Sequence, residues 1–207
     1  KDPGEDWLGE IPTSWELRRL GAYFQERRTQ VSDKDFAPLS VTKQGMRPQL
    51  ETAAKTNDGD NRILVREVDF VSNSRSDRKG SSGISEYDGS VSLISIVIEP
   101  RHGHARFLHY LLKSQAFQEE FYRFGHGIVA DLWTTRFSEM KSIPLAIPSF
   151  ETQESIAKFL DKETARIDSL VKKKTDLVEL LTEKRKNTIS AAIIGNQKPY
   201  DSFPREH

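Results

Sequence analysis

One feature constrains the fold most: a long stretch without proline or glycine, from Ser149 to Ile194, with Gly195 directly after it. Ser149 can cap the N-terminus of a helix, and Glu151 falls in the first turn, where the helix dipole favours an acid. A helix of about 44 residues would be roughly 66 Å long at 1.5 Å per residue. Such a length is typical of a coiled coil and exceeds that of ordinary globular helices.

Apolar residues recur along this helix at spacings of three and four, which predicts a seam that pairs with another helix. The predicted helix-pairing residues are Ile156, Leu160, Ile167, Leu170, Leu177, Leu181 and Ile189. Glu163, Lys174 and Lys184 also fall on the seam, so we expect the helix to need a specific partner, in the same chain or in another. The alternative is an amphipathic helix folded back on its own domain. Lys172 to Lys174 are read as a solvated face, with a contact to DNA as the weaker option.

The chain before Pro148 follows a different pattern, with short apolar clusters separated by glycine, proline, serine and aspartate. Several segments are predicted as strands, and Ser92 to Ile98 is the most strand-like because it is dense in β-branched residues. Ala105 to Phe124 is predicted as one helix that Gly125 ends. The expected fold class is therefore α+β, a mixed globular domain at 1–148 followed by a long coiled-coil-forming helix at 149–195. Residues 196–207 are expected to form a linker or a loose tail.

Composition narrows the function classes further. The chain of 207 residues has 36% hydrophobic and 30% charged residues, a net charge of zero and no cysteine. No apolar run is long enough to cross a membrane, and we expect a cytoplasmic protein. Because the net charge is zero, binding to nucleic acid would require a local basic patch.

Catalytic patterns are missing from the sequence. It contains no phosphate-binding glycine loop and no nucleophile elbow. His102, His104 and His109 lie close together, but without a metal-ligand pattern, so we expect neither metal nor cofactor. Asp69 and Asp77 could hold a metal for phosphodiester cleavage, although Asp77 is expected to pair with a neighbouring arginine. The sequence therefore favours a binding module over an enzyme.

Three segments resemble the DNA specificity subunit of Type I restriction–modification systems. EDWLGEIPTSWELRRLG, from Glu5, is similar to the opening of that family's target recognition domain. The stretch FSEMKSIPLAIPSFETQESIAKFLDKETARIDSLV, from Phe137, is similar to the transition into its long conserved helix, and EKRKNTISAAIIG, from Glu183, to the end of that helix. Together they bracket nearly the whole chain, and the region from about Ala22 to Arg136 matches least, as expected for the part that reads different sequences.

The resemblance implies a non-catalytic subunit that positions methyltransferase subunits, and through them a restriction endonuclease subunit, on a bipartite site in double-stranded DNA. Family members carry two recognition domains and two antiparallel helices, whereas this chain has one of each. We therefore expect it to pair with itself as an antiparallel dimer, or to be one half of a longer chain. A different function class, a coiled-coil adaptor whose head binds protein, is the alternative, and a nuclease built on the two aspartates is a third.

The stretch VSNSRSDRKGSSG, from Val71, combines cations with small polar residues, and such side chains hold phosphates or read base edges. We interpret it as a DNA-facing loop in which Gly80 and Gly83 permit close backbone approach. A turn around Gln44 and the segment from Gly125 to Phe137 are further candidates, with ordinary solvated turns as the alternative in each case. Trp133 could stack on DNA or belong to the core. The predicted DNA-contacting residues are Lys43, Gln44, Arg47, Asn73, Arg75, Arg78, Lys79, Ser81, Ser82, His126 and Arg136.

Overall fold

The computed structural model describes residues 1–50, 59–127 and 133–194. Lys1–Lys158 forms one compact unit, and a second unit begins at Phe159. The first unit ends ten residues later than the predicted boundary at residue 148, because the opening turns of the long helix pack on the domain. Gly195 and the predicted tail lie outside the described residues.

The described residues form eleven strands, four α-helices and two short 3-10 helices, Leu20–Ala22 and Ser76–Arg78. The strands, β1 to β11, are Glu16–Arg19, Phe24–Glu26, Gln30–Val31, Leu39–Thr42, Gly45–Pro48, Arg62–Val65, Phe70–Asn73, Ser82–Ile84, Gly89–Ser92, Ser95–Pro100 and Pro144–Ile147. The helices, α1 to α4, are Ala105–Lys113, Gln115–Arg123, Phe137–Met140 and Phe150–Ile193. The predicted α+β class, with a β-rich domain followed by a long helix, is confirmed.

All pairings between these strands are antiparallel. The sheets have the orders β2-β10-β7-β8 and β3-β6-β9, with two-stranded pairs β1-β11 and β4-β5. In the β1-β11 pair, Glu16 stands opposite Ile147 and Arg19 opposite Pro144. This pairing joins the two ends of the domain and fixes the point at which the chain enters α4.

Two apolar clusters form the core of the domain. The larger lies between the helices α1 and α2 and the strands, and its fully buried members include Phe70, Phe117 and Phe121. The smaller is made mostly of valines on the sheet, such as Val65 and Val91. Burial of this apolar surface is the main force that stabilises the fold, and it leaves the connections between strands at the surface.

Two predictions about local structure are wrong. The helix predicted from Ala105 to Phe124 is two helices, separated at Ser114. The Ser114 hydroxyl donates to the Leu111 carbonyl at 2.8 Å and accepts from the Phe117 amide at 3.2 Å, so it caps both helices. The segment from Ser92 to Ile98 is also not one strand, because β9 ends at Ser92 and β10 begins at Ser95.

The start of α4 agrees with the sequence. The Ser149 hydroxyl accepts from the Thr152 amide at 3.4 Å, as expected for an N-cap. Gln153 and Ala157 are buried, and the Gln153 side chain accepts from the His104 amide and donates to the Pro148 carbonyl. Within the described residues, no helix has both the length and the apolar character needed to span a bilayer.

Candidate nucleic-acid interface

Local hydrogen bonds to backbone amides fix the conformation of the connection between β7 and β8. The Asn73 side-chain oxygen accepts from the Arg75 amide at 3.0 Å, and the Arg75 carbonyl accepts from the Arg78 amide at 3.2 Å. Gly80 follows with a φ of 79°, a conformation that favours glycine. This tight path leaves Arg75, Arg78 and Lys79 exposed.

The two cations at the end of this connection have acidic neighbours. The Arg78 guanidinium lies 3.6 Å from the Asp77 carboxylate, which confirms the expected pairing of Asp77 with a neighbouring arginine. The Lys79 ammonium is 2.6 Å from the Glu119 carboxylate and 5.6 Å from the centre of the Tyr122 ring. Ion pairs this exposed stabilise little, so either cation can exchange its partner for a phosphate at small cost.

Three predicted DNA-contacting residues of the same stretch are buried, which corrects the sequence interpretation. Ser82 is fully buried, while Ser81 and Asn73 are 6% and 8% exposed. Ser82 belongs to β8, which pairs with β7, and its hydroxyl faces Gln118 at 3.5 Å. The proposed phosphate donors Ser81 and Ser82 are therefore unavailable to a ligand in this structure, and Asn73 shapes the loop.

The predicted residues near Gly125 lie beside this connection. The backbone of Thr134 bridges to both Arg75 and His126, and the Thr135 amide donates to the Ser74 carbonyl at 3.0 Å. His126 and Arg136 are exposed. Two predicted segments that are distant in sequence therefore form one strip on the domain surface.

Trp133 is held by the domain and does not project freely. Its indole N–H donates to the Tyr122 carbonyl at 2.8 Å, and the side chain is half-buried. A Cβ added to Gly125 would lie 2.5 Å from the indole nitrogen, so the ring packs directly over that glycine. These contacts favour the reading of Trp133 as a packed residue over that of a DNA-stacking residue.

The turn around Gln44 is a β-hairpin formed by β4 and β5. The Thr42 hydroxyl donates to the Gly45 carbonyl at 2.8 Å and accepts from the Gln44 amide at 3.2 Å, and Gly45 has a φ of 108°. Lys43 and Gln44 are exposed at its tip and Arg47 on its second strand. The alternative reading as a hairpin turn is thus correct in geometry, and it leaves these three side chains available for contact.

Two open clefts flank the turn between β9 and β10 and share Ile94 and Ser95 in their walls. One cleft is lined by Arg136 and Arg28, and the other by Arg78. Sequence reasoning missed Arg28 and the half-exposed Leu93 and Ile94 at the turn between the clefts. Arg28 follows Arg27 in a weak strand pattern, and Leu93 and Ile94 lie inside an apparent strand, so neither pattern predicted their exposure.

The buried polar groups behind this surface are structural. Asp69 is 1% exposed and accepts two hydrogen bonds from the Arg27 guanidinium, at 2.8 and 3.1 Å. Hydrogen bonding to Asp69 is the main cause of the raised pKa of Arg27. Arg62 is 4% exposed and donates to Ser90 at 2.8 Å, and burial lowers its pKa. Asp69 is therefore committed to an internal ion pair, which removes the support for a nuclease site built on it.

Of the three histidines that lie close together in sequence, His104 and His109 each accept a hydrogen bond from a different backbone amide. His104 caps α1 by accepting from the Phe107 amide at 3.4 Å, and His109 accepts from the Ile84 amide at 3.4 Å. Among residues 1–50, 59–127 and 133–194, no group of three or more acids and histidines is arranged to hold a metal ion.

Most of the predicted seam of α4 is exposed. Leu170 is 46% exposed, Leu177 53%, Leu181 55% and Ile167 56%. Further apolar residues on the helix are also exposed, namely Phe159, Val171, Val178, Leu180 and Ile193. Ile156 is different, because it is partly buried and packs against the larger core cluster of its own domain. Its assignment as a helix-pairing residue stays a prediction.

A comparison with protein families identifies the chain. The model of the "Type I restriction modification DNA specificity domain" matches residues 34–180, more than two thirds of the sequence. The chain belongs to this family. The match covers most of the domain and of α4, including the β4-β5 hairpin, the β7-β8 connection and Arg136.

Solved structures of specificity subunits share the fold. A chain from a study of the "complex assembly and conformational transition of the type I R-M system" matches with a TM-score of 0.68, at 15% identity over 93% of this chain and 48% of that one. The HsdS subunit from Thermoanaerobacter tengcongensis gives 0.55 at 16% identity, over 82% and 41%. The S subunit from M. genitalium gives 0.54 at 16% identity, over 88% and 47%. The chain thus spans less than half the length of these proteins. No curated protein matches by sequence.

Proposed function

We propose that the chain is a DNA-reading part of a Type I restriction–modification specificity subunit, and that it has no catalytic activity of its own. The observation that carries this proposal is the match of a DNA specificity family model to residues 34–180, which include most of the strip of exposed cations and polar groups. An adaptor whose head binds protein is not favoured, because the matched region contains the recognition domain as well as the helix.

The proposed DNA contacts are exposed residues of the domain, and several of them line the two clefts beside the β9-β10 turn. They are Lys43, Gln44, Arg47, Arg75, Arg78, Lys79, His126 and Arg136, to which we add Arg28. Arginine and lysine hold phosphates and read guanine, and glutamine reads adenine. The exposed Leu93 and Ile94 supply an apolar surface of the kind that contacts thymine methyl groups.

We propose that methyltransferase subunits, and through them the restriction subunit, are the protein partners in the assembled complex. One of the matching structures comes from a study of the assembly of a type I R-M system, and this supports partners of that kind. The role of the chain in that assembly would be to place the catalytic subunits beside a chosen DNA sequence.

We propose that the exposed seam of α4 packs against a second helix in antiparallel orientation, supplied by a second copy or by the second half of a longer chain. Contiguous exposed apolar surface usually marks an interface. For two copies, one register places every seam residue from 160 to 177 opposite a seam residue of the second copy. With the two-fold axis between Asp168 and Ser169, Ile167 faces Leu170 of the second copy.

The same register explains the imperfect seam. It places Leu160 opposite Leu177 and Glu163 opposite Lys174, so the two charged residues on the seam form complementary pairs. Opposite charges at such positions select partner and orientation. Lys184 lies outside this central region.

Salt dependence tests the proposed function. Binding of the chain to fluorescein-labelled duplexes is measured by anisotropy between low and physiological salt. We expect affinity to fall steeply, since each phosphate contact contributes about 0.9 to the slope of log K against log salt. An affinity for DNA that does not change with salt would contradict the proposal.

A further inference from the structure

Lys113 joins two loops that are far apart in the sequence. It lies in the last turn of α1, and its ammonium donates to the carbonyl oxygens of Lys43 at 2.9 Å, Gly80 at 3.3 Å and Ser82 at 3.0 Å. Lys43 lies at the tip of the β4-β5 hairpin, and Gly80 and Ser82 belong to the β7-β8 connection and β8. A lysine ammonium has three donors, and here each has a backbone acceptor.

The two loops touch at the same place. A Cβ added to Gly83 would lie 2.9 Å from the Cα of Gly45, so the hairpin backbone rests on β8 with no side chain between them. The approach that Gly83 permits is therefore to the chain's own hairpin, whereas the sequence interpretation assigned it to DNA. Lys113 is half-buried beside this contact, and burial lowers its pKa.

Two other contacts brace the β7-β8 connection from α2. Lys79 pairs with Glu119, and the Gln118 side chain approaches the Ser82 hydroxyl and donates to the Leu112 carbonyl. Neither contact reaches the hairpin. Among these three braces, Lys113 is the one that binds both loops.

We propose that Lys113 is a positioning residue for DNA recognition, which fixes the β4-β5 hairpin and the β7-β8 connection in one arrangement before DNA arrives. The proposal rests on the proposed function, because both loops carry proposed DNA contacts. Loops that are already ordered lose less conformational entropy on binding. The spacing between Gln44 and Arg75 is then set by the protein, and a fixed spacing is what allows two loops to read a fixed set of bases.

The first test compares Lys113→Met with Lys162→Met by amide hydrogen exchange without DNA. Methionine keeps the apolar stem and removes the three donors, while Lys162 is an exposed lysine of α4 whose loss matches the change in charge. We expect exchange in residues 42–48 and 74–83 to become faster by about tenfold in Lys113→Met alone. Unchanged exchange in either segment would overturn the proposal.

The second test measures DNA affinity and its salt slope for the same variants. We expect Lys113→Met to bind about tenfold more weakly with an unchanged slope, since the residue does not contact phosphate. A slope smaller by about one would show a direct phosphate contact and overturn the positioning role.

The arginine variant separates charge from geometry. Lys113→Arg keeps the charge, but a planar guanidinium cannot direct donors at three converging carbonyls in the same way. We therefore expect its exchange in both loops to remain faster than in the wild-type protein, and full restoration by arginine would overturn the geometric argument.

The hydrogen exchange result does not depend on DNA binding. A failure of the proposed DNA-reading function can therefore be distinguished from a failure of the proposed role of Lys113. If the wild-type chain bound no duplex at all, the proposed function would fail, and with it the role of Lys113 in recognition. Faster exchange in Lys113→Met would still show that the residue holds the loops. If the wild-type chain binds DNA and Lys113→Met binds equally well, only the further inference fails.

Discussion

The domain and the long helix place their apolar side chains differently. In Lys1–Lys158 most large apolar residues fill two internal clusters, although a few, such as Leu93 and Ile94, are exposed, and backbone hydrogen bonds brace the loops. In α4 beyond Phe159, five residues of the seam are 46% to 56% exposed, namely Ile167, Leu170, Leu177, Leu181 and Ile189. The first surface suits a charged ligand whose binding depends on salt, and the second suits another apolar helix. A single chain thus presents two surfaces of opposite chemistry, and each can be disrupted without the other.

The largest effect is expected from Leu177→Asp, which places a charge in the helix interface. In a two-fold pair the substitution occurs twice, and each buried, unpaired carboxylate costs several kcal/mol, so the pairing should weaken by about a thousandfold or more. Sedimentation should show the mass falling from about two chains to one. Thr175→Asp adds the same charge away from the seam and should leave the mass unchanged. If the wild-type protein were a dimer and Leu177→Asp kept its mass, the seam assignment would be wrong.

The second-largest effect is expected at the proposed DNA-contacting surface of the domain. Reversing both Arg75 and Arg78 to glutamate should reduce DNA affinity by about a hundredfold, because two attractive phosphate or base contacts become repulsive. Anisotropy measures the affinity, and circular dichroism checks that the domain remains folded. The matched control reverses Lys172 and Lys173 on α4, which we read as a solvated face. An equal loss of affinity in the control would move the DNA contact to the helix.

A smaller effect tests the register of the helix pair. Lys174→Glu should weaken pairing by about tenfold, because Glu163 of the second copy would face a like charge. Adding Glu163→Lys reverses the pair and should restore the original mass distribution at a given concentration. Failure of the double variant to recover would reject the register centred between Asp168 and Ser169.

The smallest effect is expected from Gly83→Ala. The added methyl group would lie 2.9 Å from the Cα of Gly45, so the β4-β5 hairpin must shift away from β8. We expect DNA affinity to fall by a few fold, with a loss of stability of about 1 to 3 kcal/mol from overpacking. Chemical denaturation measures the stability. Unchanged stability in Gly83→Ala would contradict the close approach of the hairpin to β8.

The sequence alone predicted the parts of the structure that depend on local patterns. The long helix begins at Phe150, next to the predicted cap Ser149, because cap, first-turn acid and periodicity all act within a few residues. The exposed cations Arg75 and Arg78 were also identified, since a polar connection between apolar strands lies at the surface of most domains.

Sequence patterns missed the features that depend on contacts between residues far apart in the sequence. Ser82 has the composition of a loop residue, but pairing with β7 and packing under α2 bury it. Ile156 has seam periodicity, and no local pattern indicates that its side chain also packs against the core of the domain. The role of Lys113 was invisible because its acceptors lie 31 to 70 residues away.

The most direct test of sequence-specific DNA recognition is a selection of duplexes from a random-sequence pool by the purified chain at low salt. Bound DNA is recovered and sequenced, with the double arginine reversal run in parallel. We predict that the wild-type chain enriches one short motif, and that the Arg75→Glu, Arg78→Glu variant enriches none. An unenriched pool from the wild-type chain, or the same motif from the variant, would contradict DNA reading by this surface.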